Sequence, residues 1–253
     1  MTTNRKSFIY LHGSPGSPTD LSPEIRFNLA SRFNFIADQR RGSTSLRDQA
    51  SQVRRLMDDR GIHSSTLIAH SLGAGIALCF ALQYPKRLDG VILISPWAFL
   101  RPTDKVSKLV PKLLQIPLLA KTLGAKAIRA NLARSHFPRP VRSEALSALT
   151  EKYSAPEAIT RILAEKNAFI SEMRNQQNRW REIRCPVAII AGPHDQITPF
   201  EFQAAPLQKE IPNSLLIQDP RVGHLASQIR PADFYSALNH IRIASEGEAY
   251  ATN

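Results

Sequence analysis

Residues 69–73, AHSLG in the one-letter code, constrain the fold of this chain more than any other segment. A short apolar run at residues 66–68 precedes them, and a run with helical character follows at residues 72–84. The pattern predicts a strand, a tight turn and a helix in succession. Small residues two positions before and after Ser71 let strand and helix approach closely while the turn presents the hydroxyl. Ser71 is therefore a candidate nucleophile; the alternative is that it only caps the helix.

Two later segments also place a polar residue directly after an apolar run. Residues 187–191 (VAIIA) predict a buried strand, and Asp195 follows in a Gly-x-x-Asp-x-x-x-Pro segment. Residues 214–217 (SLLI) predict the last strand, and His224 follows in a Gly-His pair. The carboxyl ends of parallel strands form one edge, where α/β proteins bind ligands. Asp and Pro are also common turn formers, which is the alternative explanation of the first segment.

The order Ser71, Asp195, His224, each after a predicted strand, resembles the α/β-hydrolase superfamily. The resemblance covers residues 7–100 and 185–245. It implies that His224 takes the proton of Ser71, while Asp195 orients the imidazole and stabilises its charged form. The family usually has Gly where this chain has Ala69, although some lipases of the family carry Ala.

A His-Gly pair follows the strand-like residues 7–11 (SFIYL) and resembles the oxyanion loop of the same family. Such a loop must aim backbone N–H groups at the developing negative charge. Pro15 and Pro18 have no N–H, so we expect Ser14 to supply one donor and Leu72, after the nucleophile, to supply the other. An ordinary Gly/Pro turn is the alternative explanation.

The resemblance implies an α/β class, with the α/β-hydrolase fold. Only about ten residues precede the loop at His12, whereas many members carry two antiparallel strands there. We therefore expect a mostly parallel sheet of about six strands that lacks the N-terminal antiparallel strands.

Residues 101–184 differ from the rest of the chain in charge. They contain 17 Lys/Arg and 7 Asp/Glu, a net charge of +10 out of +12 for the whole chain. We interpret them as a helical cap, or lid, inserted into a core of residues 1–100 and 185–253. The basic cap steers an anionic or amphiphilic substrate, or touches a membrane surface through residues 106–120, or is only a solvated face. Trp97, just before it, either contacts substrate in an acyl pocket or packs the insertion onto the core.

Composition excludes several other classes. No apolar run approaches the roughly 20 residues of a membrane span, and the absence of a secretory signal favours the cytoplasm. Cys79 and Cys185 lack metal-ligand spacing, so we expect reduced thiols and no metal. The chain has neither a zinc-finger pattern nor an aromatic RNA-binding signature, so no nucleic-acid partner is expected. The sequence leaves the oligomeric state open.

These patterns together predict a cytoplasmic serine hydrolase. It would cleave a small carboxylic ester or thioester through an acyl-enzyme intermediate and would need no cofactor. A peptidase or a carbon–carbon bond hydrolase would use the same triad, and a non-catalytic binding protein of the same fold is a further alternative. A serine at position 71 argues against the dehalogenase and epoxide-hydrolase branches, which have aspartate there.

Overall fold

Every neighbouring pair of strands in the central sheet is parallel. The computed structural model describes residues 5–40, 42–106, 109, 116 and 120–251. The sheet has six strands in the order β2-β1-β3-β4-β5-β6, which confirms the expected number and direction. The strands are β1 (Ser7–Leu11), β2 (Asn34–Ala37), β3 (Ser65–His70), β4 (Leu88–Ile94), β5 (Val187–Ala191) and β6 (Ser214–Gln218).

Eight α-helices occur in the described part of the chain, together with short 3-10 and π turns. They are α1 (Pro23–Arg32), α2 (Leu46–Asp59), α3 (Leu72–Gln83), α4 (Ala125–His136), α5 (Ser143–Ser154), α6 (Pro156–Gln176), α7 (Ala204–Glu210) and α8 (Pro231–Ala251). Ser45, the residue before α2, caps the helix, because its hydroxyl oxygen accepts a hydrogen bond from the Asp48 N–H.

The inner strands are apolar on both sides because helices cover both faces of the sheet. β1, β3 and β5 are buried along their whole length, whereas the edge strands β2 and β6 are partly exposed. One face packs against α2, α3 and α7, and the other packs against α1 and α8. A parallel sheet covered on both faces produces the continuous apolar runs seen in the sequence.

The chain between β4 and β5 is helical wherever the structure describes an element, and its longest helix, α6, packs on the core. Phe169 and Met173 of α6 belong to the same buried cluster as α2 and α3. The Glu172 carboxylate accepts hydrogen bonds from the Leu46 and Arg47 N–H groups, at 3.1 Å each, at the start of α2. A carboxylate at a helix N-terminus is also favoured by the helix dipole. Most of residues 106–120, expected to touch membranes, lie outside the described residues.

The approach of α3 to β1 generates a stability prediction. A Cβ on Gly73 would collide with the Leu11 carbonyl and lie 2.8 Å from the His12 carbonyl oxygen. Backbone cannot move aside as a side chain can, so Gly73→Ala should lower the free energy of unfolding by about 3 kcal/mol or more. This loss should appear although alanine is the better helix former by about 1 kcal/mol. Chemical denaturation monitored by circular dichroism measures it.

Gly75→Ala, two residues further along α3, is the matched control. A Cβ there would meet the Phe169 ring at 2.8 Å, which is a side chain rather than backbone. We expect it to destabilise less than Gly73→Ala. Equal stability of wild type and Gly73→Ala would contradict the close approach.

Candidate active site

Ser71 lies in a strained turn between β3 and α3. Its backbone has φ 53° and ψ −117°, and its side chain makes no capping hydrogen bond to α3. Ser71 thus occupies the N-cap position of α3, but its side chain does not cap the helix, as the alternative explanation required. The Ser71 N–H donates to the Ile94 carbonyl at 3.0 Å, and the Ser71 carbonyl accepts from the Trp97 N–H at 3.1 Å. These bonds to β4 and the loop after it fix the turn, leaving the hydroxyl free for chemistry.

Asp195 and His224, 29 residues apart in the sequence, are hydrogen-bonded. His224 Nδ1 lies 2.9 Å from Asp195 Oδ2, and both residues are buried. The Thr198 hydroxyl donates to Asp195 Oδ2 at 2.7 Å, and the Ile197 and Thr198 N–H groups donate to Oδ1 at 2.8 Å. Burial alone would raise the pKa of Asp195, but His224 and the Thr198 hydrogen bonds lower it below its usual value. Asp195 is therefore ionised beside the imidazole.

Two cavities meet at Ser71. The first, of about 250 Å³, is lined by Ser71 and His224 together with Asp20 and Tyr153. The second, of about 330 Å³, is lined by Ser71, Leu72 and Trp97 among others. Ser14 lines both cavities. The predicted residues of the β3, β5 and β6 loops thus lie in one region at the carboxyl edge of the sheet, as expected for a parallel α/β fold.

The residues of the two expected oxyanion donors, Ser14 and Leu72, line the second cavity together with Ser71. A Cβ on Gly13 would be 3.2 Å from the Ser71 Cβ, so the loop containing Ser14 passes close to Ser71. Leu72 is the first residue of α3. The first N–H groups of a helix have no intrahelical acceptor, and they form the positive end of the helix dipole. For both reasons this helix N-terminus favours an anion.

Trp97 meets the geometry of both sequence-based interpretations. Its ring stacks on Phe169 of α6, with centroids 3.7 Å apart and planes 20° from parallel. The same residue lines the second cavity. Trp97 therefore packs against α6, and its contact with a substrate stays a prediction.

Sequence reasoning did not identify the role of His70, the residue before Ser71. Its Nε2–H donates to the His224 carbonyl at 2.8 Å, and the two rings are 4.9 Å apart. Burial, followed by the proximity of His224, lowers the pKa of His70 to about 3. His70 is therefore a neutral donor that holds the His224 backbone. Its position beside Ser71 was the available signal, but nothing local showed its partner.

Asp20 was likewise not identified, because nothing in its local sequence marks it. It is the acidic residue among the described lining of the first cavity. Asp20 Oδ2 accepts from the Ser17 N–H at 2.7 Å, and burial raises the pKa of Asp20 above its usual value. The loop after β1 thus contributes a partly desolvated carboxyl group to the cavity wall.

The described residues contain no group of three or more His, Cys, Asp or Glu side chains arranged to hold a metal ion. None of the described helices is both long and apolar enough to cross a bilayer. Cys79 and Cys185 are not joined by a disulfide bond.

The alpha/beta hydrolase fold family model matches residues 7–229. The chain therefore belongs to the α/β-hydrolase fold family, and it is a hydrolase. This agrees with the parallel sheet, the strained serine turn and the Asp195–His224 pair described above.

Individual relatives are more distant. The chain is 25% identical to "Putative carbamate hydrolase RutD" of Caulobacter sp. (strain K31) over 93% of this chain and 90% of that protein. An esterase from Exiguobacterium antarcticum superposes with a TM-score of 0.72 and 17% identity, covering 94% and 92% of the two chains. The epoxide hydrolase CorEH gives a TM-score of 0.72 with 19% identity, covering 94% and 91%. These two similarities show the fold alone.

The neutral state of His70 makes stability depend on pH. An unfolded histidine has a pKa of about 6.5, whereas burial holds that of folded His70 at about 3. Between these values the unfolded chain binds a proton that the folded chain does not, so stability is lost as pH falls through this window. His70→Gln keeps an N–H donor but does not titrate. When the pH falls from 7 to 5, the free energy of unfolding of His70→Gln should therefore decrease by about 2 kcal/mol less than that of wild type.

Urea denaturation at pH 7, 6 and 5 measures this difference. His63→Gln, which removes an exposed histidine, is the control. Parallel curves for wild type and His70→Gln would show that His70 does not resist protonation in the folded protein.

Proposed function

We propose that this protein is a serine hydrolase in which Ser71, His224 and Asp195 form the catalytic triad. Its substrate is a carboxylic ester or thioester. The observation that carries the proposal is the 2.9 Å contact between His224 Nδ1 and Asp195 Oδ2 in the cavity that Ser71 lines. The strained backbone of Ser71 adds support. A non-glycine residue at positive φ is energetically unfavourable, and such residues cluster at active sites.

The reaction follows from these positions. His224 Nε2 takes the proton of Ser71 as Ser71 Oγ attacks the carbonyl carbon, and the C=O π electrons move onto oxygen. The N–H groups of Ser14 and Leu72 stabilise that oxyanion. The intermediate collapses, the bond to the leaving group breaks, and His224 protonates the departing alcohol or thiol. A water molecule, deprotonated by His224, then releases the acid and restores Ser71. Ionised Asp195 stabilises the imidazolium in both halves.

We also propose that residues 101–184 form a lid over the core of residues 1–100 and 185–253. Cavity-lining residues on α4, α5 and α6, such as Asn131, Tyr153 and Leu163, support this division. The side chains of Phe169 and Met173 pack within the core cluster, so the lid is anchored along the second half of α6.

The second cavity supports an anionic or amphiphilic substrate. Arg134 and Lys166 line it, and among the described residues neither forms an ion pair with a carboxylate. Arg101, also in the lining, is instead paired with Asp104 at 3.3 Å. Apolar side chains, including Trp97, Ile128 and Leu163, cover the rest of the wall. An apolar chain with a carboxylate at its end fits this combination of surface and charge.

Membrane-surface contact through residues 106–120 stays a separate proposal. Of the described residues in this segment, Val106, Leu109 and Ile116 have exposed apolar side chains. Salt-sensitive binding of the protein to anionic vesicles would support the contact, and equal binding to neutral vesicles at high salt would contradict the electrostatic part.

Removing the proposed nucleophile tests the central claim. Ser71→Ala should reduce kcat toward p-nitrophenyl esters by about 10⁴-fold or more, because the covalent step is lost. It should also abolish labelling by a fluorophosphonate probe. Ser236→Ala, which alters an exposed serine on α8, is the control and should keep full activity and labelling.

A panel of p-nitrophenyl esters of graded chain length, with a thioester, a carbamate and an amide, identifies the bond cleaved. The carbamate is included because of the relative named above. Labelling of folded Ser71→Ala at the wild-type rate would refute the triad. A folded wild type that is neither labelled nor active on any ester would favour a non-catalytic binding role.

Charge reversal tests the anionic preference. Lys166→Glu or Arg134→Glu should lower kcat/KM for the p-nitrophenyl monoester of glutaric acid about tenfold more than for p-nitrophenyl valerate, because a carboxylate then faces a like charge. Arg139→Glu changes the net charge equally at an exposed site that lines neither cavity. If all three variants affect both esters equally, the second cavity does not recognise an anion.

A further inference from the structure

Outside the proposed triad, the structure contains a buried charge pair, Arg40 and Glu165. Arg40, in the loop after β2, is 4% exposed, and Glu165, on α6, is 2% exposed. Arg40 Nη1 is 3.4 Å from Glu165 Oε1 and 3.3 Å from Gln49 Oε1. Burial lowers the pKa of Arg40, and the Glu165 carboxylate counters this effect. Burying two charges is costly unless geometry and further hydrogen bonds compensate, so the remaining contacts of Arg40 are informative.

The other end of the guanidinium contacts the loop that carries Ser14. Arg40 Nη2 donates to the Gly13 carbonyl at 2.5 Å and is 3.1 Å from His12 Nδ1. Burial and the Arg40 charge lower the pKa of His12 to about 4, so its imidazole is neutral beside the guanidinium. The Gly13 carbonyl therefore accepts from a permanent cation at physiological pH, and hydrogen bonds of this kind are among the stronger ones in proteins.

The direction of the Gly13 carbonyl sets the direction of the next N–H. The Gly13–Ser14 peptide bond is trans, and a planar trans peptide points its C=O and N–H in opposite directions. Arg40 holds the carbonyl on the buried side, so the Ser14 N–H is turned away from Arg40. Gly13 itself contacts Ser71 closely enough that a Cβ would be 3.2 Å from the Ser71 Cβ. A rotation of this one peptide would therefore change the direction of the Ser14 N–H beside Ser71.

Helix α6 holds Arg40 by its backbone as well as by its side chain. Arg40 has φ 45°, a conformation that non-glycine residues rarely adopt. Arg161 of α6 donates to the Arg40 carbonyl and pairs with Glu165 at 3.0 Å. Leu163 and Lys166 on the same helix line the second cavity. The lid helix and the oxyanion loop are thus joined through one arginine.

We propose that Arg40 is a positioning residue that aims the Ser14 N–H at the oxyanion, and that Glu165 of α6 holds Arg40 in place for this task. The proposal rests on the serine hydrolase function proposed above. Arg40 does not touch the reacting atoms. Its effect is exerted through the Gly13–Ser14 peptide, so it should appear in the transition state more than in substrate binding.

Arg40→Lys and Glu165→Gln test this role. Arg40→Lys keeps a cation but cannot contact Glu165, Gln49 and Gly13 together, since an ammonium lacks the planar fork. We expect kcat for p-nitrophenyl butyrate to fall about 10²-fold, with KM changed less than about threefold, as for a displaced oxyanion donor. Glu165→Gln keeps the acceptor oxygen without the charge, and we expect a smaller fall of about 5-fold.

A trifluoromethyl ketone that forms a tetrahedral adduct supplies a readout that a purely structural role would not move. In each variant the inhibition constant of the ketone should increase by the same factor by which kcat/KM decreases, because both depend on the oxyanion donors. Arg87→Lys is the matched control. Like Arg40, Arg87 pairs with a carboxylate, Asp58, and donates to backbone carbonyls, here those of His63 and Ile62, but it lies at the opposite edge of the sheet. It should lower the melting temperature without changing kcat.

The outcomes separate the two proposals. An active wild type whose labelling depends on Ser71, combined with unchanged kcat and ketone affinity in folded Arg40→Lys, overturns the positioning role and leaves the hydrolase function intact. A rise in KM alone also overturns it. If Arg40→Lys does not fold, the same measurements on Glu165→Gln test the positioning role. Wild-type kcat and ketone affinity in Glu165→Gln would then refute it. An inactive, unlabelled wild type refutes the function on which both depend.

Discussion

The structure depends on the close approach of α3 to the end of β1. At Gly73 the helix backbone lies against the Leu11 and His12 carbonyls, with no space for a Cβ. This contact forces a sharp turn at Ser71 and places the loop after β1 close to it. The helix N-terminus, the serine hydroxyl and the Gly13–Ser14 peptide therefore share one small region. Slightly looser packing would separate the proposed nucleophile from its proposed oxyanion donors, and a difference of about 1 Å matters in such a site.

Three buried side chains, those of His70, His12 and Arg40, form hydrogen bonds next to that region. His70 and His12 are kept uncharged by burial, so they can donate or accept hydrogen bonds without adding positive charge beside His224. Arg40 keeps its charge because Glu165 accompanies it. The positive charge that develops on His224 in the proposed mechanism is matched by the Asp195 carboxylate, which is hydrogen-bonded to its Nδ1.

Helix α6 does more than border the second cavity. Phe169 stacks on Trp97, Glu172 holds the start of α2, and Glu165 with Arg161 holds Arg40. All three contacts come from α6, so the helix that borders the second cavity is also the one that braces the core loops. A substrate that displaces α6 would alter the oxyanion loop through Arg40. Lid position and transition-state stabilisation would then be coupled.

The sequence by itself determined the parallel sheet and the candidates Ser71, Asp195 and His224. Each lies within a few residues of a buried apolar strand, and the order of the three residues resembles a known family. That resemblance implied the parallel sheet, whose strands bring their carboxyl ends to one edge. Only the tertiary structure revealed the contacts of His70, Asp20, Arg40 and Glu165. Arg40 and Glu165 are 125 residues apart, and His70 binds a backbone carbonyl 154 residues away. Such pairs depend on how the inserted helices lie across the core, because packing between distant segments leaves no periodic signal in the residues themselves.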